Sequence, residues 1–244
     1  MHRLEISAPR IAQGHRPGQF VIVRQGPGSE RLPFTVVSTD AERGSIELII
    51  QAVGKSTGEL VRLTPGQPID DVAGPLGRPS GLVARGHAVC VGGGVGTAVV
   101  YPIARELAAN GARVTTVIGA RSEGSVLIED ELSQLGTVVG CTDDGTYGRR
   151  GLVTDALRDL LSEDDIELVF TAGPVPMMWA VSELTRPFGV RTVASLNPIM
   201  VDGTGMCGGC RVTVDGQMRF ACVDGPDFDG HLVDFAELAE RLTT

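Results

Sequence analysis

Residues 87–118 read HAVCVGGGVGTAVVYPIARELAANGARVTTVI. His87-Ala88-Val89-Cys90-Val91 is a short apolar run of the kind found in strands buried on both faces. It leads into Gly92-Gly93-Gly94-Val95-Gly96-Thr97. A helix is expected over about 98–110, stopped by Gly111, with Pro102 tolerated only in its first turns. A second strand is expected over 113–118. Strand, Gly-rich turn, helix, strand is the opening unit of a nucleotide-binding sheet. Glycine lets the main chain approach a pyrophosphate, and the helix N-terminus faces its charge. The run is not a strict G-x-G-x-x-G, and a tight strand-to-helix turn without a ligand explains it too.

The alternation continues to residue 195. A helix ends over 132–135, strands are expected at 137–141, 168–172 and 191–195, and helices at 154–161 and 177–184. That gives about five parallel strands with crossing helices. Ligands bind at the carboxyl ends of such strands. Three loops lie there: 92–97, Thr142-Asp143-Asp144-Gly145, and 173–178. Met177-Met178 reads as core before it reads as a cofactor contact. Asp143-Asp144 reads as a solvated turn, because no third metal ligand is in sight.

Residues 1–85 are of another kind. Apolar runs at 20–23, 32–37, 46–50 and 69–72 are separated by Gly, Pro and Ser turns. Short strands at roughly ten-residue spacing read as a small antiparallel barrel. One helix is expected over 56–63, with Ser56 or Thr57 as N-cap and Glu59 in its first turn. Gly54-Lys55-Ser56-Thr57 carries free N–H groups and hydroxyls that suit a phosphate, although an ordinary cap explains them. Arg31-Leu32-Pro33-Phe34-Thr35 sets an aromatic and a hydroxyl at a strand start.

The chain beyond residue 195 is marked by its cysteines. Three of five, Cys207, Cys210 and Cys222, fall in DGTGMCGGCRVTVDGQMRFAC, residues 202–222. A C-x2-C pair lies in a Gly-rich loop. The third Cys follows a two-strand ribbon that turns at Asp215-Gly216. Three thiolates are one short of a set for zinc or an iron–sulfur cluster, and Asp202 offers an oxygen as the fourth. A redox dithiol with one buried Cys, or a small zinc knot, fits the same spacing. Cys90 and Cys141 stand apart, so no disulfide framework is suggested and reducing cytoplasm is the expected compartment. The net charge of −9 comes without a basic cluster, which argues against nucleic acid as a partner. No apolar run has the length of a membrane span, and no signal peptide is seen.

A strand-rich barrel followed by a sheet with GGGVG (92–96) and AGPVPMM (172–178) resembles the ferredoxin–NADP reductase superfamily. Residues 195–235, SLNPIMVDGTGMCGGCRVTVDGQMRFACVDGPDFDGHLVDF, are very similar to the small-subunit family of NADH-dependent reduced ferredoxin:NADP oxidoreductase. That family is also known as the beta subunit of sulfide dehydrogenase. The electron-transfer subunit of dihydroorotate dehydrogenase is a more distant relative. The resemblance spans essentially the whole chain. It implies a β plus α/β fold: an antiparallel FAD-binding barrel over 1–85, a parallel-sheet NAD(P)-binding domain over 86–195, and a 2Fe–2S ribbon over 196–244.

The resemblance also implies site residues. In the dihydroorotate relative the cluster loop reads C-x4-C-x2-C with a fourth cysteine. Here the matching positions are Asp202, Cys207, Cys210 and Cys222, the Asp/Cys3 set of the sulfide-dehydrogenase branch. Pro33, Phe34 and Thr35 match the flavin strand, and Ile49, Ile50, Gln51, Gly54, Ser56 and Thr57 match the second FAD segment. Leu32 stands where an arginine directly before the proline is usual, and Arg31 is one step off. Gly93, Gly94, Gly96, Thr97, Gly173, Pro174 and Met177 match the nicotinamide-nucleotide loops. Thr97-Ala98-Val99 departs from the usual apolar-Ala-Pro. Arg121-Ser122 follows the second strand, where a ribose phosphate can be met, so NADP(H) stays open beside NAD(H). No catalytic side chain is expected, because the cofactors carry the chemistry. The implied partner is a larger subunit with a flavin and 4Fe–4S clusters, reaching ferredoxin indirectly, in bifurcating transhydrogenation. Two other readings stand beside this one: a dihydroorotate-type electron-transfer subunit, and a non-catalytic nucleotide-binding module with structural zinc.

Overall fold

The computed structural model describes residues 1–243. The first part holds six strands: β1 (His2–Ser7), β2 (Phe20–Arg24), β3 (Leu32–Thr35), β4 (Ser38–Asp40), β5 (Ser45–Ile50) and β6 (Asp71–Leu76), with α1 (Pro9–Gly14) and α2 (Lys55–Leu60). They pair antiparallel as β1–β5–β4 and β3–β2–β6. The two sheets wrap one core that includes Val21, Val23, Ile46, Leu48 and Ile50. β2 shows why its sequence FVIVR does not alternate. Val21 and Val23 face the barrel core, while Phe20 and Ile22 face a second core shared with the C-terminal residues. A strand covered on both faces reads as a continuous apolar run.

The middle part runs β7 (His87–Gly93), α3 (Gly96–Ala109), β8 (Arg113–Ala120), α4 (Glu129–Ser133), β9 (Thr137–Thr142), β10 (Arg149–Arg150), α5 (Val153–Glu163), β11 (Ile166–Ala172), α6 (Val175–Thr185) and β12 (Arg191–Ser195). The C-terminal part adds the hairpin β13 (Arg211–Val214) and β14 (Gln217–Phe220), then α7 (Ala221–Asp224), β15 (Asp227–Asp229) and α8 (Phe235–Thr243). The large sheet has the order β10–β9–β8–β7–β11–β12–β15. The five expected strands are parallel. To them the fold adds β10 at one edge and an antiparallel β15 at the other. Both additions are two or three residues long and carry no periodic signal. Among the described residues no helix is long and apolar enough to cross a membrane.

Three local expectations are corrected. α2 starts at Lys55 and is capped by Gly54, not by Ser56 or Thr57, so Glu59 falls outside its first turn. The Thr57 hydroxyl instead accepts from the amides of Val53 and Gly54, at 3.1 and 3.0 Å. Pro102 lies in the interior of α3, where it has no N–H to give the carbonyl of Ala98. It is buried there, so packing overrides the local preference.

Asp227, in β15, joins the three parts. Its carboxylate accepts from the Ser80 hydroxyl, its backbone pairs with Ser195 of β12, and Oδ1 is buried without a partner. Burial pushes its pKa up to about 6. The folded chain therefore holds this proton more tightly than the unfolded chain. The group's stabilising contribution is complete below the ordinary carboxylate range and is lost as pH rises through about 6. Asp227→Asn should remove that loss. Between pH 5 and 8 the variant is expected to gain on the wild type by about 1.4 kcal/mol, read as urea midpoints. Parallel curves for the two proteins would count against it.

Candidate functional site

The cysteine loop separates into two pairs. Cys210 and Cys222 are buried, with sulfurs 3.1 Å apart. The β13–β14 hairpin brings them together, because Arg211 pairs with Phe220 at its open end. The amide of Cys222 donates to Cys210 Sγ at 3.4 Å, and the Gly209 amide donates to Cys207 Sγ at 3.5 Å. Burial pushes the Cys222 thiol up to about 12, so the free side chain stays neutral at pH 7. Asp202 and Cys207 form the other pair, toward solvent. Asp202 Oδ1 accepts from the Thr204 amide at 2.8 Å, and Oδ2 from the Cys207 amide at 2.6 Å. These donors, Thr204 first, hold its carboxyl below the usual range. Among the described residues no group of three metal-ligating side chains is already gathered.

The nucleotide loop lies where the strand order reverses. From β7 the chain proceeds to β8 and β9 on one side, then returns to β11 on the other. Ligands of open α/β sheets bind at such a crevice. Gly93, Gly96 and Gly173 close it with main chain alone. A Cβ on Gly96 would lie 2.2 Å from the Ala172 oxygen, and one on Gly93 would lie 2.4 Å from Met177 Sδ and 3.1 Å from Pro174. Gly94 takes a left-handed φ of 54° to make the turn. Thr97 is fully buried and its hydroxyl has no partner. Met178 is core, as expected, while Met177 is half-buried against Gly93 and Gly173. Asp144 accepts from Thr146 within its own turn, which makes Asp143-Asp144 a solvated turn.

On the barrel, Leu32 and Phe34 lean on its core, while Pro33 is exposed and Thr35 half-buried. Ile50 is in that core, and Ile49 packs with Val37 and Ala98 between barrel and sheet. Both isoleucine side chains are thus taken up by packing, and Gln51 is exposed. Gly54 is open, with nothing near the position of a Cβ. Ser56 donates its hydroxyl to the Glu30 carboxylate.

One apolar cluster joins all three parts. It contains Phe20 and Ile22 from β2, Val175 and Met178 from α6, and Cys210 and Cys222 from the ribbon. Sequence reasoning missed three residues between the parts, Arg31 in its structural role, Arg78, and Asn197, whose side-chain amide donates to the Gly173 carbonyl at 3.3 Å, and one within the barrel, Glu30. No motif marks them, since each acts through a contact distant in sequence.

Residues 197–234 match the iron–sulfur cluster binding domain of dihydroorotate dehydrogenase B, and residues 90–183 match the oxidoreductase NAD-binding domain. The chain is 47% identical over 237 residues to the dihydroorotate dehydrogenase B (NAD(+)) electron transfer subunit homolog of Thermotoga maritima, covering 97% of this chain and 84% of that one. It is 34% identical to the dihydroorotate dehydrogenase B (NAD(+)) electron transfer subunit of Geobacillus thermodenitrificans, covering 93% and 90%. Among solved structures, NADH-dependent reduced ferredoxin–NADP oxidoreductase, studied for flavin-based electron bifurcation, superposes with a TM-score of 0.93. Identity there is 45%, over 99% of this chain and 87% of that one.

Proposed function

Because the chain belongs to the family of dihydroorotate dehydrogenase B electron transfer subunits and their homologues, we propose how its residues divide that work. It is an oxidoreductase subunit of the ferredoxin–NADP reductase fold, with FAD, NAD(H) and an iron–sulfur centre as its cofactors. The observation that carries the assignment of residues is the shared core. It packs β2, the barrel strand paired with the flavin strand β3, against the 175–178 end of the nucleotide loop and the cysteine hairpin. We take 1–85, 86–195 and 196–244 as the corresponding domains.

Asp202, Cys207, Cys210 and Cys222 hold a 2Fe–2S cluster. The two separate pairs suit two irons better than one tetrahedral zinc, and the amides at the sulfurs suit thiolates. The match of 197–234 to an iron–sulfur domain likewise speaks against the structural-zinc module. Gly93, Gly94, Gly96, Thr97, Gly173, Pro174 and Met177 hold NAD(H). The absent Cβ atoms leave main chain to face the nucleotide, and Met177 packs beside it. Pro33, Phe34, Thr35, Gln51 and the 54–57 loop hold FAD, with Ile49 and Ile50 contributing main chain. When bound, these groups supply hydride acceptance at the flavin and single-electron passage at the cluster. The chain's own part is to orient them, to keep water from the Cys210–Cys222 side, and to hold the nicotinamide loop through Asn197.

The partner is a larger flavin subunit with 4Fe–4S clusters. Exposed Ile199, Val201, Met206 and Val223 near Cys207 give an apolar surface suited to it. The reaction we assign is ferredoxin-dependent, bifurcating transhydrogenation in the cytoplasm. Asp202 in the first ligand position, and 45% identity to the ferredoxin–NADP oxidoreductase against 34% to the Geobacillus thermodenitrificans dihydroorotate subunit, favour this over dihydroorotate oxidation. The test is visible and low-temperature EPR spectroscopy of the anaerobically purified chain, before and after NADH. Flavin bands and a rhombic S = 1/2 signal on reduction are expected. A colourless protein carrying zinc would defeat the assignment.

Glu30 makes a further expectation. Its carboxylate sits on Ser56, in the loop assigned to the FAD diphosphate. Like charges there oppose binding, so Glu30→Gln should bind FAD about three- to tenfold more tightly at low salt, measured by flavin fluorescence quenching. Unchanged affinity would mean that Glu30 stays clear of the diphosphate.

A further inference from the structure

The cysteine loop is seated on the barrel at two places, one at each end. At the first, Gly203 lies so close to β2 and β6 that a Cβ would be 2.6 Å from Leu76 Cδ1 and 3.1 Å from Ile22 Cγ1. Beside it, Arg31 Nε donates to the Val201 carbonyl at 2.9 Å. At the second, Gly77 leaves only 3.0 Å from a Cβ to the Gly225 oxygen and 3.1 Å to Pro226. There the Arg78 amide donates to the Gly225 carbonyl at 2.7 Å, and its Nε donates to the Val223 carbonyl at 3.3 Å. Each seat is a glycine contact with an arginine next to it. Val201 directly precedes Asp202, and Val223 directly follows Cys222. The first and last proposed ligands are therefore each one residue from a clamped carbonyl.

We infer that Arg31 and Arg78 are positioning residues, which fix the ligand loop against the flavin barrel and lend it positive charge that favours the reduced cluster. The inference rests on the ligand set proposed above. A guanidinium bonding a carbonyl keeps its full charge, and positive charge near an iron–sulfur centre moves its potential upward. The two arginines differ in a way that can be measured. Arg78 lies 3.5 Å from the Asp224 carboxylate, which offsets its charge, whereas Arg31 has no carboxylate partner among the described residues. Arg31 is also the arginine displaced by one from the usual pre-proline position. Its structural place is on the ribbon's main chain, at the seam between two cofactor segments.

The test compares wild type, R31Q, R31K and R78Q as full-length chains, by EPR-monitored redox titration and by amide hydrogen exchange over 199–204. R31Q should lower the reduction equilibrium of the cluster about tenfold, or ~59 mV for a one-electron couple. R78Q should lower it by clearly less, and R31K should stay within about twofold of wild type. In chains freed of iron, R31Q should still speed exchange at 201–204 about tenfold, which keeps the test open if that variant does not retain its cluster. Equal potentials in wild type and R31Q, a fall in R31K as large as in R31Q, or unchanged exchange would each overturn the inference. A wild-type chain that holds no iron overturns the ligand assignment itself. An iron-bearing wild type with unmoved variants overturns only the role of the arginines.

Discussion

Cys222→Ser is expected to cost the chain its iron and at least about 100-fold in electron delivery to a one-electron acceptor, while NADH still bleaches the flavin. Loss of an outer-shell partner of a metal site typically costs 10–100-fold, and removal of a ligand costs more. Cys222 is 1% exposed and its sulfur is 3.1 Å from Cys210. A serine hydroxyl there is too weak an acid to bind iron in place of a thiolate. It would also leave Cys210 without its neighbour in a buried place. The residues proposed for the flavin and the nucleotide do not include this one, so hydride uptake should survive. Asp202→Cys is the informative companion. On the exposed side it should keep a cluster, with a changed potential. Iron content and the reduced EPR signal read both variants. Retention of a full signal in C222S would remove Cys222 from the ligand set.

Gly96→Ala should have the second large effect, for a different reason. The added Cβ would lie 2.2 Å from the Ala172 oxygen, 2.5 Å from its carbon and 2.7 Å from Gly173 Cα. All three are main-chain atoms at the ends of central strands, so nothing flexible can yield. The expected cost is about 3 kcal/mol or more, seen as a fall of roughly 6–12 °C in Tm, with at least about tenfold weaker NADH binding. Neighbouring glycines set the scale. At Gly94 nothing lies within 4 Å of a Cβ, so Gly94→Ala costs only the left-handed strain of about 1–2 kcal/mol. At Gly93 the nearest atom is the sulfur of Met177, which can swing aside, so Gly93→Ala should disturb nucleotide binding more than Tm. A similar Tm for G96A and G94A would show that the start of α3 can move off the end of β11 more easily than their contact suggests.

The legible parts of this chain are those in which local pattern and tertiary role agree. β7, its glycine turn and α3 read correctly because a buried parallel strand, a tight turn and a helix each leave a compositional mark. The C-x2-C pair stood out for a related reason, since its residue type and spacing are uncommon, and it lies within the stretch that matches an iron–sulfur binding domain. β15 was not legible, because three residues pair with β12 only through a fold built elsewhere. Pro102 misled because burial in α3 outweighs a lost hydrogen bond. Arg31 was visible as a departure from the family's pattern, but its partner, the Val201 carbonyl, lies 170 residues away. The association of Ile49 with cofactor binding came from its place in a motif. The structure puts its side chain into the packing between barrel and sheet.

β15 has a consequence for solubility. The parallel sheet would otherwise end at β12, whose outer row of amides and carbonyls is a template for a strand from another molecule. Three residues of the ribbon cover that row, and the far edge ends in the two-residue β10. The segment that carries the cysteines thus also keeps the sheet from pairing with copies of itself. Chains shortened before residue 196, or loosened there by loss of metal, should show self-association before they show unfolding.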